Sequence, residues 1–379
     1  MTVKHVVLLN GPQIDNKKGE YGSGMGGFVR NMQVYVDKFQ SDRFVLKPCF
    51  NSIREARRWP WLSFSWRYLT DVLRTIRLTS GVSIVHILGQ YGNAIAREYT
   101  IVLWCKIRKI RVVYEMKGGA FVSWYESANP LLRKLALLVL TRSDAVLCEG
   151  RPYVDYLKKL QIQGSYFPNF VPDEEVAPIW EERLNERSLR ILFVGYCYED
   201  KGVFDLVRAC EQAARAGVPI ELTLVGHENP RFANWMDNAG GVDGIPLKIR
   251  RMGLLCHSRT IEVFRSHDIF CMPTRHPGEG HTNSINEALA AGLVVVCTRH
   301  GFLPDILTDE SAYFVEKGNV AELANIFLQI DADRVCARLK AKNGRSVLML
   351  NFTSRKSFKE LEEHYSRILA AATKSPKAL

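Results

Sequence analysis

The chain has 379 residues, 47% hydrophobic and 24% charged, an ordinary globular composition whose length excludes a single hydrophobic core and fits two domains. Its net charge of +11 is unevenly spread: residues 1–170 hold 25 Lys and Arg against 12 Asp and Glu, a net of +13, and the remainder holds 26 against 28, a net of −2. The basic excess therefore belongs to the first half and implies an anionic partner there, nucleic acid or an acidic lipid surface.

In chain order, Val3–Leu9 reads as a strand with too short an apolar run for a signal peptide. A helix is predicted over Phe28–Phe39, strands over Val82–Ile87, Arg111–Tyr114 and Asp144–Leu147, and a helix over Asn93–Ile107. The longest apolar stretch, Leu135–Leu140, is far too short to span a bilayer. The turn-rich F-P-N-F-V-P-D of Phe167–Asp173 and the charged stretch after it read as an interdomain link. The alternation then restarts: strand Leu189–Val194 ending in Gly195, helix Val203–Ala216, strand Glu221–Val225 ending in Gly226, strand Asp268–Met272, helix Ser284–Ala291 and strand Val294–Thr298. Nine cysteines stand singly, most inside apolar runs, with no C-x-x-C; this suits a reducing cytosol and argues against a disulfide scaffold or a zinc site.

Two α/β units in series imply two facing Rossmann-like domains with parallel sheets and an interdomain cleft, functional residues falling just after the strands. The expected boundaries are 1–172 and 188–351, with a C-terminal helix over 352–372 packing back onto the first domain. The strongest local signal is H-P-G-E-G-H-T-N-S-I-N-E-A-L-A-A-G, where seven residues separate Glu279 from Glu287. Gly278, Gly280, Thr282, Asn283 and Ser284 leave backbone N–H groups open at a helix N-terminus, a ready place for a diphosphate, and a deeper carboxylate suits the two hydroxyls of a ribose. Taken alone, the two glutamates also fit a solvated side chain and a helix-dipole partner.

This stretch resembles the donor site of the family 4 retaining glycosyltransferases, GT-B enzymes of bacterial polysaccharide and lipopolysaccharide assembly. It is followed by V-V-V-C-T-R-H-G-F-L-P-D-I-L, so that Glu279, Glu287, Ala291-Gly292, Gly301, Pro304 and Asp305 match the family pattern. F-V-G-Y-C-Y-E-D-K-G (Gly195, Lys201, Gly202), L-V-G at 224–226, D-I-F-C-M-P-T at 268–274, F-P-N-F-V and Gly26-Gly27 extend the likeness over nearly the whole chain, densely after residue 190 and thinly between 40 and 140. The resemblance implies that Glu287 holds the nucleotide ribose, Glu279 contacts hydroxyls of the transferred sugar and Lys201 neutralises the leaving diphosphate. The amides of Gly280, His281, Thr282 and Asn283, with Ser284 beyond, would bind sugar and phosphate. The loop with Gly22, Gly24, Gly26 and Gly27 would approach the phosphates from the other domain.

Two positions depart from the pattern. Tyr196 stands where the family usually has Arg, which removes one cation from the pyrophosphate unless Lys17, Lys18 or Arg30 substitutes. Lys117, in V-V-Y-E-M-K-G-G, stands where the family often has His; it fits either a contact to sugar or phosphate, and so a catalytic role, or a solvated charge at a strand end. D-A-D at 331–333 reads as a helix cap and not as a metal site, so neither metal nor cofactor is expected, and fixed positive groups must stabilise the leaving group.

Residues 54–77 interleave arginines with aromatics, with Arg54, Arg57, Arg58, Trp59, Trp61, Trp66 and Arg67 as the candidate surface for an anionic membrane or the acceptor. The same aromatics also fit packing within the first domain. Nucleic acid is set aside, since nothing else in the chain resembles a nucleic-acid module. The reading is a cytoplasmic enzyme, peripheral at the inner face of the membrane, moving a sugar from a UDP- or GDP-sugar to a glycan acceptor that is lipid-linked. The rivals are a sugar-nucleotide-binding protein without transferase activity and a sugar-nucleotide epimerase. A dehydrogenase is disfavoured because Pro12 spoils a G-x-G-x-x-G after the first strand.

Overall fold

The computed structural model describes residues 4–14, 27–52, 60–177, 184–185, 187–238 and 244–374, the side chains of 60–65 and 372–374 excepted. These residues divide into two units, the first taking 4–14, 27–52, 60–169 and 354–374 and the second the rest.

The first unit runs β1 (His5–Pro12), α1 (Gly27–Lys38), β2 (Phe44–Asn51), α2 (Pro60–Leu78), β3 (Ile84–Gly89), α3 (Ala94–Ile107), β4 (Arg111–Met116), α4 (Phe121–Ser127), α5 (Pro130–Arg142), β5 (Ala145–Cys148), α6 (Arg151–Lys159) and β6 (Gly164–Tyr166). Its sheet is parallel in the order β2-β1-β3-β4-β5-β6. Every parallel pair needs a helical crossover, so helices cover the sheet and β3 is buried along its whole length. Two strands were not anticipated. β2 carries exposed Lys47 and Pro48, residues that break a strand pattern and are tolerated because β2 is an edge strand; β6 has only three residues.

The second unit runs β7 (Leu189–Val194), α7 (Val203–Arg215), β8 (Ile220–Val225), α8 (Pro230–Asn238), β9 (Leu247–Arg251), α9 (His257–Arg265), β10 (Ile269–Met272), α10 (Asn283–Ala291), β11 (Val294–Thr298), α11 (Leu303–Ile306), β12 (Tyr313–Val315), α12 (Val320–Ala332) and α13 (Arg334–Asn351). Its sheet is parallel in the order β12-β11-β10-β7-β8-β9. The central strands β10 and β11 are wholly buried, with Phe193, Phe270, Val295 and Leu289 in one core. Asp333 caps α13, its carboxylate accepting from the Cys336 amide at 2.9 Å.

The last helix, α14 (Ser354–Lys374), belongs to the first unit. Its Tyr365 is fully buried, 5.2 Å from the Phe44 ring, with its hydroxyl 2.7 Å from His86 Nδ1. Seven of the nine cysteines are buried; Cys256 is half-buried and Cys336 exposed, and all are free thiols. Among the described residues no helix is long and apolar enough to cross a membrane.

Candidate functional site

In the second unit the loops that leave β7, β10 and β11 converge beyond their carboxyl ends, where open parallel sheets bind ligands. After β7 the chain makes a short turn over Glu199–Lys201 and reaches Gly202 at φ +75°, a conformation natural to glycine. A Cβ at Gly202 would collide with the Pro273 carbonyl, so glycine alone lets this turn lie against the end of β10. Lys201 is thereby carried to Glu279, its Nζ 2.8 Å from Oε2 and 3.0 Å from Oε1. Thr274 donates to Glu279 Oε2 at 2.6 Å and Thr282 to Oε1 at 2.9 Å. Behind them Gly301, at φ +57°, lies so close to the Glu279 carbonyl that any side chain there would meet it.

Glu279 is only 5% exposed. Burial by itself raises its carboxyl; the Lys201 ammonium and the hydrogen bonds from Lys201, Thr274 and Thr282 outweigh that and hold it below the usual carboxylate range. Thr282 is the N-cap of α10 but makes no capping hydrogen bond, since its hydroxyl turns to Glu279. The positive end of α10 therefore meets the Lys201–Glu279 pair, and Glu287 lies buried one turn further along the helix. His281 is 1% exposed, its ring 4.9 Å from that of Phe352 and its Nε2 3.1 Å from Asn286 Oδ1, so its side chain braces the helix start.

Beside Lys201 stands an aromatic rim. The half-exposed Tyr196 meets His227 edge-on at 5.9 Å, and Tyr198 meets His276 at 6.0 Å. Burial, then the charges of Glu279 and Asp200, push the Tyr198 phenol up to about 12. Burial and the Lys201 ammonium lower His276. Sequence reasoning missed Thr274, Tyr198 and His276. For Thr274 a signal was present, a small polar residue directly after the buried strand I-F-C-M-P.

In the first unit Lys117 follows β4 directly and is 5% exposed, which corrects the alternative of a solvated strand-end charge. Alternation along an extended chain puts Glu115 and Lys117 on one side, and Lys117 Nζ sits 2.5 Å from Glu115 Oε1 and 2.7 Å from Asn169 Oδ1. The other oxygen, Glu115 Oε2, accepts from the Tyr35 hydroxyl at 3.0 Å and lies 3.1 Å from His86 Nε2. Burial raises the Glu115 carboxyl, but Lys117 and His86 more than offset it and hold it at about 2. Glu115 and His86 were missed although each interrupts an otherwise apolar strand, which is a readable sign of a buried polar cluster.

Gly22, Gly24, Gly26, Lys17, Lys18, Arg54, Arg57, Arg58 and Trp59 lie outside the described residues, as does the side chain of Trp61. Gly27 opens α1, and Arg30 is buried within that helix. Trp66 is 65% exposed. Arg67, grouped with it from sequence, is half-buried and lines a cavity instead of extending the outer surface, because the two side chains diverge around the helix. Among the described residues no three His, Cys, Asp or Glu side chains gather as metal ligands would.

Residues 188–333 match the family described as Glycosyl transferases group 1. Curated relatives include the GPI3 subunit of phosphatidylinositol N-acetylglucosaminyltransferase from Saccharomyces cerevisiae, 20% identical over 261 residues that cover 66% of this chain and 56% of the relative. The capsular polysaccharide biosynthesis glycosyltransferase CapM of Staphylococcus aureus is 24% identical over 208 residues, 54% of this chain and 53% of CapM. The chain thus spans about half the length of the curated relatives it matches. The crystal structure of Anabaena Alr3699/HepE in complex with UDP superposes with a TM-score of 0.71 at 12% identity, over 96% of this chain and all of that one. Likeness at that identity is one of fold: two parallel six-stranded sheets with flanking helices, as in GT-B proteins.

Proposed function

We propose that this chain, whose second unit matches the group 1 glycosyl transferases over residues 188–333, is a glycosyltransferase that uses a nucleotide diphosphate sugar, UDP- or GDP-linked. The sugar passes with retention of anomeric configuration to a glycan acceptor, lipid-linked, in surface polysaccharide synthesis at the inner face of the membrane. The carrying observation is the Lys201–Glu279 pair set against the start of α10. Departure of a nucleoside diphosphate leaves charge that must be met by fixed positive groups, and the Lys201 ammonium and the α10 N-terminus supply them without a metal. Glu279, kept ionised, accepts hydroxyls of the transferred sugar, and Glu287 accepts those of the ribose.

Nucleotide binding tests this reading. UDP or GDP at 100 times its Kd should stabilise the protein by about 2.7 kcal/mol. The rise in melting temperature should vanish in Glu287→Ala. A folded protein that responds to no nucleotide would remove the donor site. Release of nucleoside diphosphate from the donor, with and without membrane extract as acceptor, separates transfer from binding alone and from epimerisation.

The lipid-linked acceptor is supported by α2, whose Trp66, Leu69 and Leu73 recur at helical spacing and are 65%, 48% and 41% exposed, with Arg74 and Arg77 exposed beside them. Leu69→Ser with Leu73→Ser should weaken partition onto phosphatidylglycerol vesicles by about tenfold or more, at roughly 1.5–3 kcal/mol per buried leucine. Unchanged co-sedimentation would reject docking through α2 and leave the donor site standing.

A further inference from the structure

An ionised carboxylate offers about four lone-pair positions, two on each oxygen. In Glu279 all of them are taken. Oε1 accepts from Lys201 Nζ at 3.0 Å and the Thr282 hydroxyl at 2.9 Å, and Oε2 from Lys201 Nζ at 2.8 Å and the Thr274 hydroxyl at 2.6 Å. The carboxylate therefore has no position left for a sugar hydroxyl. Of its partners, Lys201 is the one built to leave. Its side chain is 18% exposed and ends a flexible four-carbon stem. Its backbone stays in place, because Gly202 lies against the Pro273 carbonyl and the Arg275 amide donates to the Asp200 carbonyl at 2.7 Å.

The two threonines are held where they are. Thr274 is fully buried, and its Oγ1 accepts from the His276 amide at 3.2 Å. Its one hydroxyl proton goes to Glu279 at 2.6 Å, the Asp200 carbonyl standing further off at 3.3 Å. Thr282 is fixed as the first residue before α10, and no acid lies in that helix's first turn. The charged and titratable groups around the pair are Asp200 and Tyr198 of the loop after β7 and His276 of the loop after β10. His300 of the loop after β11 stands behind them, its Nε2 2.8 Å from the His276 carbonyl.

We infer that the Lys201–Glu279 pair is a latch that donor binding opens, and that Thr274 and Thr282 are the positioning residues that hold Glu279 once Lys201 has left it. The ammonium moves to the diphosphate, which frees one position on each Glu279 oxygen for hydroxyls of the sugar. The inference rests on reading the chain as a glycosyltransferase with its donor at this site. A nucleoside diphosphate that lacks the sugar opens the latch but returns nothing to Glu279, so it binds against the loss of the pair.

The test is calorimetric titration of the full chain with whichever of UDP or GDP raises the melting temperature. Glu279→Gln should bind that diphosphate about tenfold or more tighter than the unaltered protein, because the ammonium no longer leaves a charged partner. Glu279→Ala serves as the second variant. The gain should be smaller for the nucleotide sugar, which loses its acceptor. The pH dependence carries the same sign. The empty site keeps Glu279 ionised to below 4.5, and the diphosphate complex, with Lys201 gone from the carboxylate, titrates higher. The complex therefore binds the extra proton, and diphosphate affinity should rise as pH falls from 8 toward 4.5. It is measured relative to the Glu279 variants, in which His276 and the phosphate still titrate. Thr274→Val and Thr282→Val should each lower kcat, read as diphosphate release with membrane extract, by about tenfold or more. Thr274→Ser and Thr282→Ser should keep it; valine preserves the shape and serine the hydroxyl, so a packing role would not divide them this way. Diphosphate binding that is equal or weaker in the Glu279 variants, or that gains nothing in acid relative to them, would overturn the latch and leave Lys201 bridging carboxylate and phosphate. Valine variants with unchanged kcat would remove the positioning role. In either case a nucleotide shift keeps the donor reading, and its absence from the unaltered protein removes both.

Discussion

Lys201→Met is expected to destabilise the protein by about 3 kcal/mol at neutral pH, the low end of the cost of stranding a buried charge because Lys201 is itself 18% exposed. It should also lower turnover by about 10²–10³-fold if the proposed transfer is right, as for removal of one preorganised group from a transition-state site. The pH dependence of the stability loss identifies its cause. In the unaltered protein the Glu279 carboxyl titrates below its ordinary 4.5, so its contribution is present above that value and lost as pH falls through the folded pKa. Without Lys201, burial prevails and the carboxyl titrates above 4.5, so the variant's deficit is smallest in acid and grows as pH rises through the new folded pKa. Urea midpoints between pH 4 and 8 measure this. A deficit that stays constant over that range would mean that Lys201 contributes packing and not charge. Adding Glu279→Gln should return most of the loss at neutral pH without restoring turnover.

In the second unit β7, β8, β10 and β11 were legible because they are short, almost wholly buried and each followed within three residues by a glycine or proline. β7 and β11 begin and end where the residue pattern places them, whereas β9 and β12, with one buried residue each, were not anticipated. Glu279, Lys201 and the start of α10 were readable as neighbours because a parallel sheet gathers its strand ends on one edge. Their mutual pairing was not readable. Lys201 and Glu279 are 78 positions apart, and their distance is set by the close approach of Gly202 to the Pro273 carbonyl and by the Arg275 amide donating to the Asp200 carbonyl at 2.7 Å. The first unit hid more. Its cavity gathers Asp71, Arg97 and Gln90, ordinary surface residue types whose meeting depends on how α2 and α3 sit on the sheet. The basic excess of residues 1–170 was visible as a sum, but nothing in a sum separates Arg67, turned to a cavity, from Arg74 and Arg77, turned to solvent.

Glu115→Leu should be the most costly single replacement, about 3–5 kcal/mol, because among the described residues it leaves the buried Lys117 ammonium with neutral amide oxygens and no carboxylate. The carboxyl's descent from 4.5 to about 2 corresponds by linkage to roughly 3 kcal/mol, present above 4.5 and lost as pH falls toward 2. The unaltered protein should therefore show a fall in stability across that acid window that Glu115→Leu lacks. The companion variant Lys117→Met leaves Glu115 with His86 and the Tyr35 hydroxyl, a smaller loss. Apolar replacement of both partners removes both buried charges, so the double variant should be more stable than Glu115→Leu alone, with a coupling of about 2 kcal/mol in a double-mutant cycle. An additive cycle would mean that the two side chains do not act as a pair. Turnover of the double variant then decides what Lys117 is for. Restored stability with activity still lost by about 10²-fold or more assigns its ammonium to the ligand, as expected of a preorganised cation. Restored stability with normal turnover assigns Lys117, with Glu115, His86 and Tyr365, to the framework that ties α14 to the centre of its sheet.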